Sequence, residues 1–308
     1  MTANRIFVAG HNGMVGSALV ERLRVAGYEV LTAERSSLDL LDANAVEQWL
    51  RKERPEAIIM AAAKVGGILA NSKFPAQFIY QNLVMASNVI HAAHVCDIDE
   101  LLFLGSSCIY PRDAAQPIKE DSLLTGSLEP TNQWYAVAKI AGVKLCQAYQ
   151  AEYGRRYLSA MPTNLYGPRD NFELSTSHVL PALISKAHSA KLHNGEMEVW
   201  GTGSARREFL HVFDCADACL FLLKHYDGTL PVNIGFGKDI AISDLTKLIC
   251  EIVGFDGEIR FDTSKPDGTP RKLLDNTRLS ALGWQPQISL RNGIEETYDW
   301  FKESLAGH

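Results

Sequence analysis

This 308-residue sequence contains nothing close to the ~18 consecutive apolar residues that a membrane-crossing helix requires, so an integral membrane protein is not expected. Its first residues, MTANRIFVAG, hold only a short apolar run that ends in glycine, and an unexported, cytoplasmic protein is expected. The six cysteines (Cys96, Cys108, Cys146, Cys215, Cys219, Cys250) form no C-x-x-C pair. Four of them sit in apolar periodic segments, where a thiol acts as a small hydrophobe, so a reducing compartment is the simplest setting. Basic residues are outnumbered, 30 against 36 acidic, for a formal net charge of -6. No basic face therefore recommends a nucleic acid or an anionic membrane, and an anionic ligand would need a local positive pocket. No internal repeat, low-complexity tract or metal-ligand spacing emerges.

What is present is a hydrophobic share of 46% with 21% charged residues, enough for one large α/β unit or two domains sharing a core. The run Arg5 to Ala9 is followed by Gly10, and Met14 to Ala26 then carries Val15, Leu19, Val20 and Leu23 at helical spacing. Similar apolar runs recur at Glu29 to Thr32, Ala57 to Ala62, Leu101 to Leu104, Tyr157 to Met161 and Val232 to Ile234, most separated by enough chain for a helix. This alternation predicts an α/β protein of Rossmann type, a doubly wound parallel sheet built from right-handed crossovers. Pro75 to His94 and Asn132 to Tyr153 read as long helices, each with apolar residues on more than one face, as expected where a helix meets a partner as well as the sheet. Beyond about Tyr166 the pattern loosens into glycine- and charge-rich loops, "YGPRDNFELSTSH", "WGTGSARREF" and "SKPDGTPRKLLD", which predict a smaller C-terminal α/β substrate-binding lobe. The expected division is residues 1–165 with about 206–235 for the nucleotide-binding domain, and 166–205 with 236–308 for the smaller lobe.

The first helix opens from Gly10-His11-Asn12-Gly13-Met14-Val15-Gly16, a G-x-x-G-x-x-G spacing directly after a predicted strand. Glycines there let the backbone turn tightly and approach a pyrophosphate, whose charge meets the helix N-terminus. A tight structural turn is the other reading, and the strand-turn-helix context favours a dinucleotide. After the second strand the chain reads Thr32-Ala33-Glu34-Arg35-Ser36-Ser37, with both signs of charge. An acid there would hold a ribose 2′-hydroxyl, whereas Arg35 beside two hydroxyl residues suits a 2′-phosphate; a surface ion pair between Glu34 and Arg35 is the bland alternative.

Tyr135 and Lys139 stand four apart on one predicted helix and so share a face. An ammonium beside a phenol stabilises the phenolate and lowers its pKa from ~10 toward neutrality. Ser106 follows the fourth predicted strand, at the sheet edge where doubly wound folds bind ligands. With this serine, the glycine turn and Y-x-x-x-K, the sequence resembles the extended short-chain dehydrogenase/reductases. The resemblance implies that Tyr135 is the acid/base at the reacting carbonyl, that Lys139 lowers its pKa and holds the nicotinamide ribose, and that Ser106 orients the carbonyl oxygen. Asp39 and Leu40 match the family's adenine-contacting segment. Leu104, Gly105, Ser107, Pro162, Thr163, Asn164, Leu165 and His178 match further cofactor positions. Asn12 departs from the pattern, standing where the family has an arginine, which leaves Arg35 as the main 2′-phosphate candidate.

Cys108, in "FLGSSCIYP", falls where related sugar-nucleotide dehydratases carry a proton-abstracting glutamate. A thiol with a pKa of ~8.5 can cycle between acid and base. The segments "AAAKVGGI", "FIYQN", "LGSSCIYP", "EPTNQWYAVAKIAG", "MPTNLYGPRDNF" and "SKPDGTPRKLLD" together resemble the branch of 3,5-epimerase/4-reductases that act on GDP-4-keto-6-deoxy-D-mannose, over essentially the whole chain. That resemblance implies C3 and C5 inversion by Cys108 and His178, NADPH-dependent reduction at C4, a homodimer formed through the two long helices, and GDP-sugar contacts from Lys186, Trp200, Arg207, Asp267 and Arg271. Taken bare, Cys108 would be a buried spectator, His178 a helix-start histidine and Trp200 a core residue. Arg206 and Lys272 read as solvated neighbours, and His91, His94 and His211 as structural. The alternatives are a nucleotide-sugar 4-epimerase or 4,6-dehydratase of the same fold, or a non-catalytic redox-sensing dinucleotide binder.

Overall fold

The computed structural model describes residues 3–265 and 267–306, so Pro266 of the last charged loop lies outside the described residues. The first half alternates strand and helix: β1 (Arg5–Ala9), α1 (Met14–Val25), β2 (Glu29–Leu31), α2 (Ala43–Glu53), β3 (Ala57–Met60), α3 (Ile68–Lys73), α4 (Pro75–Val95), β4 (Glu100–Leu104), α5 (Gln133–Tyr153) and β5 (Arg156–Pro162). The second half continues with β6 (Asn164–Tyr166), α6 (Val179–His193), β7 (Met197–Trp200), β8 (Arg206–His211), α7 (Val212–His225) and β9 (Val232–Ile234). It ends with β10 (Asp239–Ala241), α8 (Ile242–Val253), β11 (Ile259–Asp262), β12 (Arg271–Lys272), α9 (Thr277–Ala281) and α10 (Leu290–Ala306).

Six strands form one all-parallel sheet in the order β2-β1-β3-β4-β5-β9, as the alternating runs predict. The runs are apolar at most positions because both faces are covered, with charged residues such as Arg5, Glu29 and Glu100 at the strand starts. Ile6 and Val8 of β1 pack with Leu19 and Leu23 of α1 and Cys215 and Leu222 of α7, while Phe7 and Ala9 face Leu50, Ile90 and Phe103 on the other side. A third apolar core lies away from this sheet, where Leu183, Leu245, Ile249, Ile294 and Phe301 join α6, α8 and α10. Strand order reverses on the two sides of β1, and such a switch point leaves a crevice at the carboxyl ends of the strands.

Close contact between α5 and β4 depends on Gly142, since a Cβ there would stand 2.4 Å from Phe103 Cζ. The helix therefore lies directly on the strand, and Tyr135 and Lys139 are carried to the end of β4 where Ser106 follows. The smaller lobe holds a sheet in the order β10-β8-β12, with β6 also pairing β8, and a separate β11-β7 pair. Residues 206–211, expected within the nucleotide-binding part, hydrogen-bond as β8 into this second sheet before the chain returns through α7, which packs on α1. A short segment after β12 is stitched to the loop that follows β4: Ile118 N donates to Leu273 O at 2.8 Å and Asp275 N to Ile118 O at 2.9 Å. Leu273 N also donates to Gln116 Oε1 at 2.8 Å. All six cysteines are free thiols, and Cys96 alone is not buried.

Candidate active site

A cavity of about 830 Å³ runs along the carboxyl ends of the parallel strands, at the switch point. Its floor at one end is the glycine turn. Gly10 has φ +88°, a backbone angle that L side chains rarely adopt, and a Cβ there would lie 2.7 Å from the Ala62 backbone. At Gly16 a Cβ would lie 2.0 Å from Gly10 O, so α1 can start under the turn only because both positions lack side chains. His11, Asn12, Gly13, Met14 and Val15 complete the wall, and the absence of a side-chain cap at the start of α1 leaves its first N–H groups facing the cavity. This is a cradle shaped for a pyrophosphate.

Arg35, Asp39 and Leu40 line the same end. The ion pair weighed between Glu34 and Arg35 does not form. Glu34 is instead held by Asn12, whose Nδ2 donates to Oε2 at 2.8 Å, and by His11 Nε2 at 3.1 Å. Among the described residues no carboxylate lies within 4 Å of the exposed Arg35 guanidinium, which leaves it available to an anionic ligand. Asp39 caps its own turn, accepting from Leu41 N at 3.0 Å.

At the other end the cavity is walled by Leu104, Gly105, Ser106, Ser107, Cys108, Tyr135, Lys139, Pro162, Thr163, Asn164, Leu165 and His178. Lys139 is buried and fixed, its Nζ donating to Leu104 O at 2.6 Å and lying 4.8 Å from the Phe103 ring and 5.7 Å from the Tyr135 ring. Burial pulls its ammonium down to about 8. One expectation is corrected here: Tyr135 is pushed up, not down, by burial and by the neighbouring Cys108, because removing a phenolate from water outweighs an ammonium aimed at a carbonyl. Cys108 is buried among these groups, with its N–H donating to Ser106 Oγ at 3.3 Å. Burial raises its thiol, while Lys272, the Ser106 hydrogen bond and Lys139 pull the other way. His178 occupies the N-cap position of α6 without making a side-chain cap bond, so capping does not account for it. Its ring opens to the cavity, and the surrounding walls lower its basicity below the usual imidazole range.

The five residues expected to meet a GDP-sugar lie outside this cavity's wall. Lys186 Nζ donates to Glu198 O at 3.0 Å and stands 5.2 Å from the Trp200 ring, with Lys265 5.7 Å from the same ring. Trp200 is 49% exposed and so is not core packing. Arg207 is half-buried, donating to Arg206 O at 2.8 Å, with the Asp267 and Glu129 carboxylates nearby to favour its charge. Asp267 is spent on Thr202, accepting from its N at 2.7 Å and its Oγ1 at 2.9 Å. Arg271 is paired with Asp239, a carboxylate it shares with Arg206.

Among the cavity residues that escaped the sequence reading, Lys272 and Asp170 stand out chemically. Lys272 is not a solvated neighbour: it is half-buried, lines the cavity, and loses basicity to burial against the opposing pull of Cys108. Asp170 also lines it, with its carboxyl pushed up to about 7 by burial; Oδ1 accepts from Asn171 N at 2.7 Å while the buried Oδ2 has no hydrogen-bond partner. The only sequence signal for Asp170 was its place in a Pro-Gly loop. His211 is buried with neither ring nitrogen bonded, and its pKa falls to about 4, a neutral structural ring. Among the described residues no group of three or more His, Cys, Asp or Glu is placed to hold a metal ion, and no helix is long and apolar enough to cross a membrane.

Comparison with known proteins gives a consistent result. Residues 6–235 match the NAD dependent epimerase/dehydratase family. The chain is 57% identical over 307 residues to the GDP-L-fucose synthase of Sinorhizobium fredii, covering 99% of this chain and 98% of that one. It is 52% identical over 315 residues to the GDP-L-fucose synthase of Escherichia coli, covering 99% and 98%. The solved structure of a GDP-L-fucose synthetase from Naegleria fowleri bound to NADP superposes with a TM-score of 0.92 at 29% identity, covering 99% of this chain and 95% of that one.

Proposed function

The chain belongs to the NAD dependent epimerase/dehydratase family, and we propose that within it this protein converts GDP-4-keto-6-deoxy-D-mannose to GDP-L-fucose by C3/C5 epimerisation and NADPH-dependent C4 reduction. The observation that carries this reading is that Ser106, Cys108, Tyr135, Lys139 and His178, drawn from three separate stretches of the sequence, face one cavity whose far end is the glycine cradle. A dehydratase would need an acid pair after Ser106, where this chain has Ser107 and Cys108.

The residues fit NADP(H) because Gly10 and Gly16 let the turn close directly onto the Ala62 backbone and the start of α1, and among the described residues no carboxylate pairs with the Arg35 guanidinium at the ribose end. When bound, the cofactor supplies the hydride for C4. The chain's own residues do the rest. A ketone at C4 acidifies the protons at C3 and C5, so one group that takes a proton from one face and another that returns it from the opposite face invert each centre. With Cys108 raised and His178 lowered, the resting pair is a neutral thiol and a neutral imidazole, one acid and one base. Tyr135, held protonated by burial, is an acid able to protonate the C4 oxygen, with Ser106 orienting it. Lys139, fixed on Leu104 O, sets the position of that tyrosine's helix face and offers remaining N–H groups to a ribose.

We assign the nucleotide role to residues 1–165 with about 206–235, and the GDP-sugar role to 166–205 and 236–308, with β8 spanning the seam. Lys186, Trp200 and Arg207 form a cationic and aromatic surface suited to a GDP moiety. A homodimer through α4 and α5 is supported by the exposure of Tyr80 (63%), Tyr153 (51%) and Val137 (42%) on those helices. Six free thiols suit the cytoplasm.

The test is to follow NADPH and NADH absorbance with GDP-4-keto-6-deoxy-D-mannose and identify the sugar formed, for wild type and Cys108→Ser. GDP-L-fucose from wild type with inversion lost in the variant is expected; reduction without inversion in wild type would refute the reaction. Light scattering that returns a monomeric mass would refute the dimer.

A further inference from the structure

Cys108 faces charged and titratable groups from every element around it. Lys139 and Tyr135 approach from α5, Ser106 from the end of β4 and Lys272 from β12, while His178 at the start of α6 lines the same cavity. Behind Lys272 stand Arg207 of β8, its register partner across the parallel pair, and Glu129 of the loop before α5. Lys139 already donates to Leu104 O and makes cation-π contacts with two rings, so its ammonium is anchored away from the thiol. Lys272 differs: among the described residues its Nζ makes no ion pair within 4 Å and no hydrogen bond, whereas its neighbours Arg206 and Arg271 are both tied to Asp239.

Its location is built. Three hydrogen bonds, with Gln116 Oε1 and the Ile118 backbone, fix residues 273–275 immediately after Lys272 to the loop that follows Cys108, and a fourth, from Leu274 N to Glu208 Oε2, ties them to β8. A lysine from the far lobe is thereby delivered to a cavity wall of the near lobe and left without a partner there. Burying an unpaired ammonium is unfavourable, and it persists where an anion forms beside it.

We propose that Lys272 is a positioning residue for Cys108: its ammonium, carried across the lobe seam by the docked segment, is the cation that stabilises the thiolate formed when Cys108 gives its proton to the substrate carbanion. The step balances within the site, because the proton leaves sulfur for carbon, the electron pair stays on sulfur, and the charge that develops is met by Lys272. This rests on the reading of Cys108 as an epimerisation group, but its test does not.

The experiment is the pH dependence of Cys108 alkylation by iodoacetamide in the full-length protein, read by mass spectrometry of the Cys108 peptide, with Lys272→Met, Lys272→Arg and, as a control for charge outside the cavity, Arg206→Gln. Loss of a neighbouring cation moves a thiol midpoint by about one unit or more, so Lys272→Met should alkylate roughly tenfold more slowly near neutral pH while Lys272→Arg and Arg206→Gln track wild type. A Lys272→Met profile superimposable on wild type would overturn the proposal and leave Lys272 as a contact for the diphosphate; an equal shift in Arg206→Gln would reduce it to a general field effect and overturn it as well. The readout needs neither cofactor nor turnover. If Cys108→Ser keeps C3 and C5 inversion, the reaction assignment fails while the alkylation result still stands.

Discussion

Replacing Gly16 by alanine should cripple cofactor binding while sparing the fold. The added methyl would stand 2.0 Å from Gly10 O, 2.6 Å from Gly10 C and 2.8 Å from His11 Cα, all backbone atoms that have no rotamer to yield. Restoring an ordinary contact of about 3.3 Å or more requires the turn and the start of α1 to part by roughly 1 Å. Misplacement on that scale costs about 100-fold where several groups must converge on one ligand, equivalent to about 3 kcal/mol of binding. Overpacking costs the fold itself about 1 to 3 kcal/mol, which a chain of this size tolerates at 25 °C. Titration of intrinsic tryptophan fluorescence with NADPH gives the affinity, and circular dichroism the fold. Gly195→Ala serves as the matched control, because a Cβ there meets no heavy atom within 4 Å. Binding by Gly16→Ala within threefold of wild type, at unchanged helix content, would refute the reading of the turn as a pyrophosphate cradle.

Three further outcomes are expected. Asp170 carries a folded pKa of about 7 against ~3.9 unfolded, so the native state holds a proton that the unfolded chain releases; its contribution is full below pH ~4 and is lost as pH rises to 7. Asp170→Asn should therefore gain on wild type by about 3 kcal/mol between pH 5 and 7.5 in urea midpoints, and a constant difference across that range sinks the assignment. Arg35→Ala should raise KM for NADPH tenfold or more and leave that for NADH within twofold, in steady-state assays with both cofactors, since a single guanidinium-phosphate contact is worth about 1.5 to 3 kcal/mol. Gly142→Ala should lower the melting temperature and kcat together, because its methyl would meet the Phe103 ring at 2.4 Å and lift α5, with Tyr135 and Lys139, from the end of β4; an active variant of unchanged kcat would separate that packing from the chemistry.

How far the sequence carried the argument depended on whether the information was local. The strands of the main sheet are legible because burial on both faces makes β1, β3 and β4 apolar at every position but the first of β1 and of β4, Arg5 and Glu100, a pattern that needs no knowledge of partners. Tyr135 and Lys139 are legible because four residues on a helix fix a shared face. Lys272 was not, since its neighbours Gln116 and Ile118 lie more than 150 residues away in sequence and nothing in "TPRKLLD" distinguishes the lysine that enters the cavity from the arginine that pairs with Asp239. For Asp170 the raised carboxyl arises wholly from tertiary burial. The sign of the Tyr135 shift was misjudged for the same reason: spacing shows that an ammonium is close, but the cost of burying a phenolate depends on walls contributed by the rest of the chain.

The distribution of thiols has a bearing on how such a protein ages. Four of its cysteines are buried in helices away from the cavity and Cys96 is only partly exposed, so Cys108, on the cavity wall, is the buried sulfur that a small oxidant meets by following the substrate's own route. On the proposed role of Cys108, oxidative damage and catalysis would compete for one atom, and a filled site would act as its own antioxidant.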